Sequence, residues 1–461
     1  MIEAMTARAL AGHIARKEIS PVEVVTRALD LAESTQATLN AFSVICRDEA
    51  LAQARRAEAS VLNGEALGPL HGVPFSAKDL ISVAGLRYAS GSRAMAGNIG
   101  KVDAPSVERA RLAGAILIGK TTTSEFGCKP VGDSPLTGVT RNPLDLSLTP
   151  GGSSAGCAAS VGAGVTPFGL GTDGGGSIRV PASLTGTYGF KANFGRVPVW
   201  PVSATPTLAH VCPLARNVRD AAMLLGAIAG YDARDAGSIS GPTPDFLGAC
   251  ETPPKGLRVA WSPTLGYAKP DPEVARLCER AALKLRDAGC VVDEVEKVFA
   301  ADPCDIWTAE FYAGVGTRLR PMLETQRDLL DPAVAQILDA ALAQDMRAYY
   351  ETVFRRYALR DEMGAFFASY DLLLSPTLPI SELPAGRNIP EGLETRNLVS
   401  WVYYTYPFNL TGQPAASLPI GLTARGRPVG LQIVGGRNDE TAIFRASAWL
   451  ESEFQAELRR T

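Results

Sequence analysis

Histidine is almost missing from this 461-residue chain, which has only His13, His71 and His210. That scarcity starves most zinc sites of ligands and most Ser-His-Asp schemes of a base. The eight cysteines (46, 128, 157, 212, 250, 278, 290 and 304) are scattered without a CxxC pair. Such scatter argues against a metal centre and a disulfide framework, and makes a reducing cytoplasm the expected compartment. An excess of one charge is missing too. The 45 basic and 48 acidic residues leave a net charge of −3 and no long run of either sign, so neither nucleic acid nor an anionic membrane surface is an expected partner. Long apolar runs are also lacking. The uncharged stretches 146–172 and 397–424 are broken by glycine and proline, and the N-terminal MIEAMTARALAGHIARKEIS mixes acids and bases among its apolar residues. Neither a membrane span nor a signal peptide is expected.

What is present is ordinary in bulk, 46% hydrophobic and 20% charged, as expected of a soluble globular chain with a sizeable core. Residues 5–60 read as helices, with Ser20-Pro21-Val22-Glu23 combining an N-cap serine, a first-turn proline and a capping-box glutamate. Segment 68–78 reads as a loop leading to a lysine, 103–114 as a short helix and 115–119 as a buried strand. Further helices are expected at 217–230, from Asp271-Pro272 to Gly289, through most of 304–368 (with a start at Asp331-Pro332) and at 440–454. Strands are expected at 257–261, 290–298, 371–374 and 429–434, the last two bracketing a Pro/Gly-rich loop region. Segment 235–255 is the best candidate for a linker, though its Gly/Pro content suits a surface loop equally well. Alternating helices and strands without repeats make the fold class α/β.

One stretch stands apart. Residues 149–191 carry no charge as far as Thr172, then bring Asp173, Gly174, Gly175, Gly176, Ser177 and Arg179 within seven positions. Glycine runs belong where backbone turns sharply or approaches a ligand closely. Here each run ends in serine, and Val161, Val165, Phe168 and Leu170 thread an apolar pattern that a flexible linker lacks.

Two motifs mislead. Residues 114–121 satisfy GxxxxGK[ST], and a nucleotide-binding module using Lys120 would follow. A phosphate loop, however, needs a strand before its first glycine, whereas a helix precedes Gly114 and the intervening Ala-Ile-Leu-Ile is itself a strand pattern. Residues 152–156 satisfy GxSxG, the nucleophile elbow of a hydrolase with Ser154 served by a later histidine. No strand pattern precedes it and only His210 follows, so His210 is expected to be a hydrogen-bonding core or pocket residue.

Two serines and a lysine remain. Serine needs a base to become a nucleophile, and lysine serves as that base only when burial or a neighbouring cation makes it neutral. Lys78, between Phe75, Ala77 and Leu80, suits partial burial, although Asp79 would oppose the shift if it faced the same way. Gly174, Gly175, Gly176 and Ser177 supply the successive N–H groups that an oxyanion hole requires, with Asp173 and Arg179 locking the loop. The residues alone leave open whether Ser153 or Ser154 acts.

The segments GVPFSAKD (72–79), GKTTTSEFG (119–127), TPGGSSAG (149–156), GLGTDGGGSIRVPAS (169–183), GFKANFGRVP (189–198), PLARNVRDAA (213–222), PFNLTGQPAASLP (407–419) and PVGLQIVG (428–435) resemble the amidase signature family, in that family's order. The resemblance implies a single domain over 1–461, with a central twisted mixed sheet covered by helices on both sides. Core segments would lie at about 65–230 and 405–455, and a variable helical region at about 300–400 would shape the substrate pocket. It implies Ser177 as nucleophile, Ser153 as a bridging serine behind a cis peptide bond, and Lys78 as base, with no cofactor or metal.

The implied reaction is cleavage of a C–N bond in a small amide, anilide or carbamate through a seryl acyl-enzyme, by a cytoplasmic monomer or homodimer. The alternative within the resemblance is the glutaminase component of a tRNA-dependent amidotransferase. Pocket positions are expected at Cys128, Ser154, Trp307 and Tyr404. The chain departs from the family at Ala209 and Cys212, where Asp and Gly are frequent, and at Gly174, where threonine is common. The last change is expected to leave the oxyanion loop freer.

Overall fold

In Phe75-Ser76-Ala77-Lys78, apolar and polar side chains alternate at the two-residue period of a strand, and the segment belongs to one. The computed structural model describes residues 2–394 and 396–458. Its strands are β1 Phe42–Ile45, β2 Pro74–Lys78, β3 Ile116–Thr121, β4 Asp133–Ser134, β5 Gly138–Val139, β6 Phe168–Asp173, β7 Tyr188–Lys191, β8 His210–Ala215, β9 Arg258–Trp261, β10 Val291–Glu294, β11 Leu372–Pro376, β12 Ala415–Leu422 and β13 Pro428–Gly435. Eleven of them form one mixed sheet in the order β1-β3-β2-β6-β8-β7-β12-β13-β11-β9-β10, while β4 and β5 pair separately. The fold is a single α/β domain flanked by helices, as expected.

Strand alternation assigns the two faces. Phe75 and Ala77 of β2, Phe168 and Leu170 of β6, and Leu431 and Ile433 of β13 enter the largest apolar cluster. Buried residues of the helices Val218–Ile228, Pro272–Asp287 and Glu440–Leu458 pack into the same cluster. The opposite face receives a second cluster, built from Leu373, Val434, Trp307, Phe311 and Tyr406. Ser76 and Lys78 fall on the face away from Phe75. Pairing within the centre is parallel for β2 with both β3 and β6, so these strands end on the same edge.

Several elements were placed differently by sequence. Residues 5–60 hold the helices Ala7–Ala15, Pro21–Leu39 and Arg47–Leu62, but β1 interrupts them. Segment 68–78 ends in the wholly buried β2 rather than in a loop. Strands β6, β7, β8 and β12 are not among those expected from sequence, and each is interrupted by glycine or proline. In β6 the reason is steric: a Cβ on Gly169 would lie 2.6 Å from Cys157 Sγ, and one on Gly171 would lie 2.5 Å from Ile178 Cδ1. These glycines let neighbouring elements press onto the strand. The capping box at Ser20 and Glu23 is formed as read. Within 235–255, Phe246 is buried in the main cluster, so that segment packs against the domain.

Two helical glycines predict opposite outcomes. A Cβ on Gly156 would approach Ala41 O to 2.1 Å and Thr122 Oγ1 to 2.4 Å, whereas Gly226 is exposed with open space around it. Gly156→Ala should destabilise the domain by at least about 1–3 kcal/mol through overpacking. Gly226→Ala should stabilise it by about 1 kcal/mol through helix propensity. Urea unfolding of the two variants checks both signs.

Candidate active site

The ends of β2 and β6 deliver the site. Lys78 is the last residue of β2 and is completely buried. Ser153 and Ser154 lie in the turn before the helix Ala155–Gly162, and the Gly152–Ser153 peptide is cis. Ser177 sits between β6 and the helix Arg179–Thr185, half-buried. The chain folds these distant segments into one hydrogen-bonded row: Lys78 Nζ lies 2.7 Å from Ser153 Oγ, which lies 2.9 Å from Ser177 Oγ.

Lys78 has two further partners. Its Nζ donates to Thr172 Oγ1 at 2.8 Å and to Ser154 Oγ at 3.1 Å. Burial pushes the amine down to about 7, against smaller opposing influences of Cys157 and Asp173. A neutral amine has two N–H groups and one lone pair. With Ser154 and Thr172 accepting the two N–H groups, the lone pair is left for Ser153. Asp79 does not interfere, because its carboxylate turns to Lys120, 3.4 Å away.

Ser154 is fully committed. Its hydroxyl donates to Thr172 O at 3.1 Å while accepting from Lys78 and from the Thr172 N–H at 3.2 Å. His210 is engaged elsewhere: Nδ1 is 2.8 Å from Leu208 O, and Nε2 is 3.3 Å from Lys191 Nζ. Burial and the neighbouring Lys191 hold its imidazole well below the usual value, hence neutral. The Ser154–His210 arrangement is therefore not formed. Nor is the phosphate loop: Gly119 and Lys120 lie inside β3, and Lys120 is buried with Asp79.

The glycine loop is fixed by a buried ion pair. Arg179 and Asp173 are both fully buried. Arg179 spends every N–H it has: Nε and Nη2 on Asp173 (3.0 and 2.9 Å), Nη2 also on Asn409 Oδ1 (2.7 Å), and Nη1 on Thr405 O and Gln432 Oε1 (both 2.8 Å). Burial alone would raise the Asp173 carboxyl, but Arg179, with Lys191 and Asn409, holds it well below the usual carboxylate range and keeps it ionised. Asp173 also accepts from the N–H groups of Gly176 (2.8 Å) and Ile178 (3.2 Å). This narrows the oxyanion reading, since the Gly176 N–H is already occupied. Among the described residues, the N–H groups of Gly174, Gly175 and Ser177 donate to no protein acceptor. Sequence reasoning did not single out Thr172, Thr405, Asn409 or Gln432. The last two stand in PFNLTGQPAASLP and PVGLQIVG, where the resemblance was already visible.

Gly174 is not freer for lacking a side chain. A Cβ there would lie 2.9 Å from Phe311 Cε2, so the phenylalanine ring fills the space. Trp307 Nε1 donates to Gly174 O at 2.8 Å and Thr405 Oγ1 to Gly175 O at 2.6 Å, pinning the loop.

Two cavities meet at Ser177. One of about 350 Å³ is lined by Ser153, Thr172, Phe126, Trp200, Leu319 and Met322 among others, with Arg318 as its one charged residue among those described. The other, of about 20 Å³, is lined by Cys128, Trp307, Gly175 and Val402 among others. Of the expected pocket residues, Cys128 and Trp307 border the small cavity. Ser154 lies behind Lys78, and Tyr404 belongs to the core, its hydroxyl donating to Pro263 O at 2.6 Å. Tyr404 reads like a pocket residue by sequence because nothing local distinguishes it from its aromatic neighbours.

A sequence profile described as Amidase matches residues 23–444. The chain is similar to an acylamidase of Rhodococcus erythropolis, with 34% identity over 458 residues covering 97% of this chain and 95% of that protein. It is also similar to a component of the glutamyl-tRNA(Gln) amidotransferase of Acidothermus cellulolyticus, with 35% identity covering 98% of this chain and 94% of that protein. A bacterial aryl acylamidase described as belonging to the amidase signature enzymes superposes with a TM-score of 0.92 at 30% identity, covering 98% of each chain.

Removing one member of the buried pair should be costly. Arg179→Met should lower stability by about 3–5 kcal/mol by leaving a buried carboxylate uncompensated. Adding Asp173→Asn should recover part of the loss, with chemical unfolding of the single and double variants as the measurement.

Proposed function

From its membership of the amidase signature family, which makes the chain a hydrolase of amide C–N bonds, we propose a stand-alone enzyme for small, apolar, uncharged amides. In this reading Ser177 is the nucleophile, Ser153 the bridging serine and Lys78 the base. The observation that carries it is the row Lys78–Ser153–Ser177, with a 2.7 Å and a 2.9 Å contact. Ser177 Oγ attacks the carbonyl carbon while its proton passes to Ser153 Oγ, whose own proton passes to the neutral Lys78. The resulting oxyanion is received by the N–H groups of Gly174, Gly175 and Ser177, which have no protein acceptor among the described residues. Collapse breaks the C–N bond, and the amine leaves with a proton returned from Lys78 through Ser153. Water then attacks the acyl-enzyme by the same relay and releases the carboxylic acid, so neither cofactor nor metal is required.

The larger cavity supports an apolar substrate. A cationic group placed there would meet no carboxylate among the described lining residues, and burying an unpaired charge is expensive. Glutamine carries such an ammonium group, which weighs against the glutaminase alternative despite the similarity to the amidotransferase component. In this reading the helical region at about 300–400 supplies the pocket wall, while segments at about 65–230 and 405–455 supply the chemistry. No helix among the described residues is long and apolar enough to cross a membrane. We assign the chain to the cytoplasm as a monomer or homodimer without a nucleic-acid partner.

Hydrolysis of aryl amides, aliphatic amides, esters, carbamates and glutamine by the purified chain tests the assignment. Ser177→Ala and Lys78→Ala should each lower kcat/KM by about 10³-fold or more, since such residues act as a unit. Full activity in Ser177→Ala would overturn the mechanism, and glutamine as the preferred substrate would favour the alternative. A pH profile gives a second check. Only the neutral amine accepts a proton, so kcat/KM should rise with pH, reach half its maximum near the Lys78 value of about 7, and level off above it.

A further inference from the structure

Ser177 lines both cavities, and so does Phe311. The nucleophile therefore stands at a junction between two very unequal spaces, one of about 350 Å³ and one of about 20 Å³. Once a carbonyl oxygen points to the N–H groups of the glycine loop, the two other substituents of the carbonyl carbon must diverge into different spaces. A cavity of the smaller size holds about one water-sized group.

The wall between them is built to stay. The Phe311 ring stacks on the Trp307 indole, with centroids 4.5 Å apart and an interplanar angle of 19°. Trp307 in turn stacks on Tyr406 at 5.9 Å and anchors its Nε1 on Gly174 O. Tyr312 meets the Phe311 ring edge-on at 5.3 Å and donates to Cys128 O at 2.9 Å. A Cβ at residue 174 would come within 2.9 Å of the ring, so any larger residue there would require the ring or the loop to shift.

The two spaces also differ in chemistry. Ser153, the neighbour that returns a proton to the departing nitrogen in the reading above, lines the large cavity but not the small one. The leaving nitrogen therefore belongs on the large side and the acyl substituent on the small side.

We propose that the Gly174–Phe311 pair sets acyl length, so that the substrates are amides of a short acyl group, formyl or acetyl, on a bulky apolar amine. Phe311 acts as a specificity-determining residue. The proposal rests on the catalytic reading above, because it takes Ser177 as nucleophile and Ser153 as proton donor.

A series of N-acyl-4-nitroanilides with acetyl, propionyl, butyryl and hexanoyl groups tests it, the amine being constant and its release followed by absorbance. Wild type should lose at least about tenfold in kcat/KM for the first methylene that no longer fits. Phe311→Ala and the milder Phe311→Leu should each raise the butyryl-to-acetyl ratio at least tenfold. Comparable rates across the series in wild type, or an unchanged ratio in both folded variants, would overturn the proposal. So would a wild-type preference for bulky primary amides such as phenylacetamide over 4-nitroacetanilide, which places the large group on the acyl side. If Ser177→Ala matches wild type on every substrate, the catalytic reading itself falls. If only the ratio fails to move, the acyl-length assignment alone is lost.

Discussion

The buried pair of Arg179 and Asp173 is the constraint on which the site depends. Taking both charges out of water is expensive, and such a pair is weak evidence of net stabilisation. Its contribution is geometric. Asp173 ends β6 and Arg179 begins the following helix, so the ion pair closes the turn that carries Gly174, Gly175, Gly176 and Ser177. The remaining guanidinium hydrogens reach Thr405, Asn409 and Gln432, more than 220 residues further along the chain. One side chain thus fixes the turn to the later segment of the domain. By occupying the Gly176 N–H, Asp173 also decides which donors of the loop stay free.

A second constraint is the placement of lysines in a sheet interior. Lys78 and Lys120 are both fully buried on adjacent parallel strands, yet their surroundings differ. Lys120 faces the carboxylate of Asp79, whereas Lys78 faces only hydroxyls. A carboxylate beside Lys78 would favour its charged form and cancel the effect of burial. Adjacent residues on a strand point to opposite sides, and β2 ends where this separates Lys78 from Asp79. The lowered Lys78 amine and the compensated Lys120 cation thus arise from one pattern.

Much of this was legible in the sequence, and the failures share a cause. Gly-Ser runs, proline-led helices and a lysine among apolar residues are local signals, and they pointed to Lys78, Ser177, Asp173, Arg179 and the pair Ser153 and Ser154, leaving the choice within that pair to the resemblance. Strand β6 was invisible because its glycines answer to Cys157, Ser154 and Ile178, which lie elsewhere in the chain. The choice between Ser153 and Ser154 was likewise not local. It depends on which hydroxyl is already engaged with Thr172, a residue 18 positions downstream of Ser154. Tyr404 was misplaced for the same reason, since its carbonyl partner belongs to Pro263.

Gly174 carries the point furthest. Read locally, glycine in place of a branched residue loosens a loop, because glycine has the most backbone freedom to lose. In the folded chain the missing side chain is replaced by the ring of Phe311, and the adjacent carbonyls are held by Trp307 and Thr405. The freedom exists only in the unfolded state. The space beside residue 174 is filled from the helix Cys304–Thr325, whose Phe311 borders both cavities. Chemistry and selectivity are thereby assigned to different parts of the chain. The glycine turn and Ser177 are held by the buried ion pair, while the shape of the adjoining cavities is set in part by helical side chains. Trp307 of that helix joins the two parts, its indole N–H donating to Gly174 O.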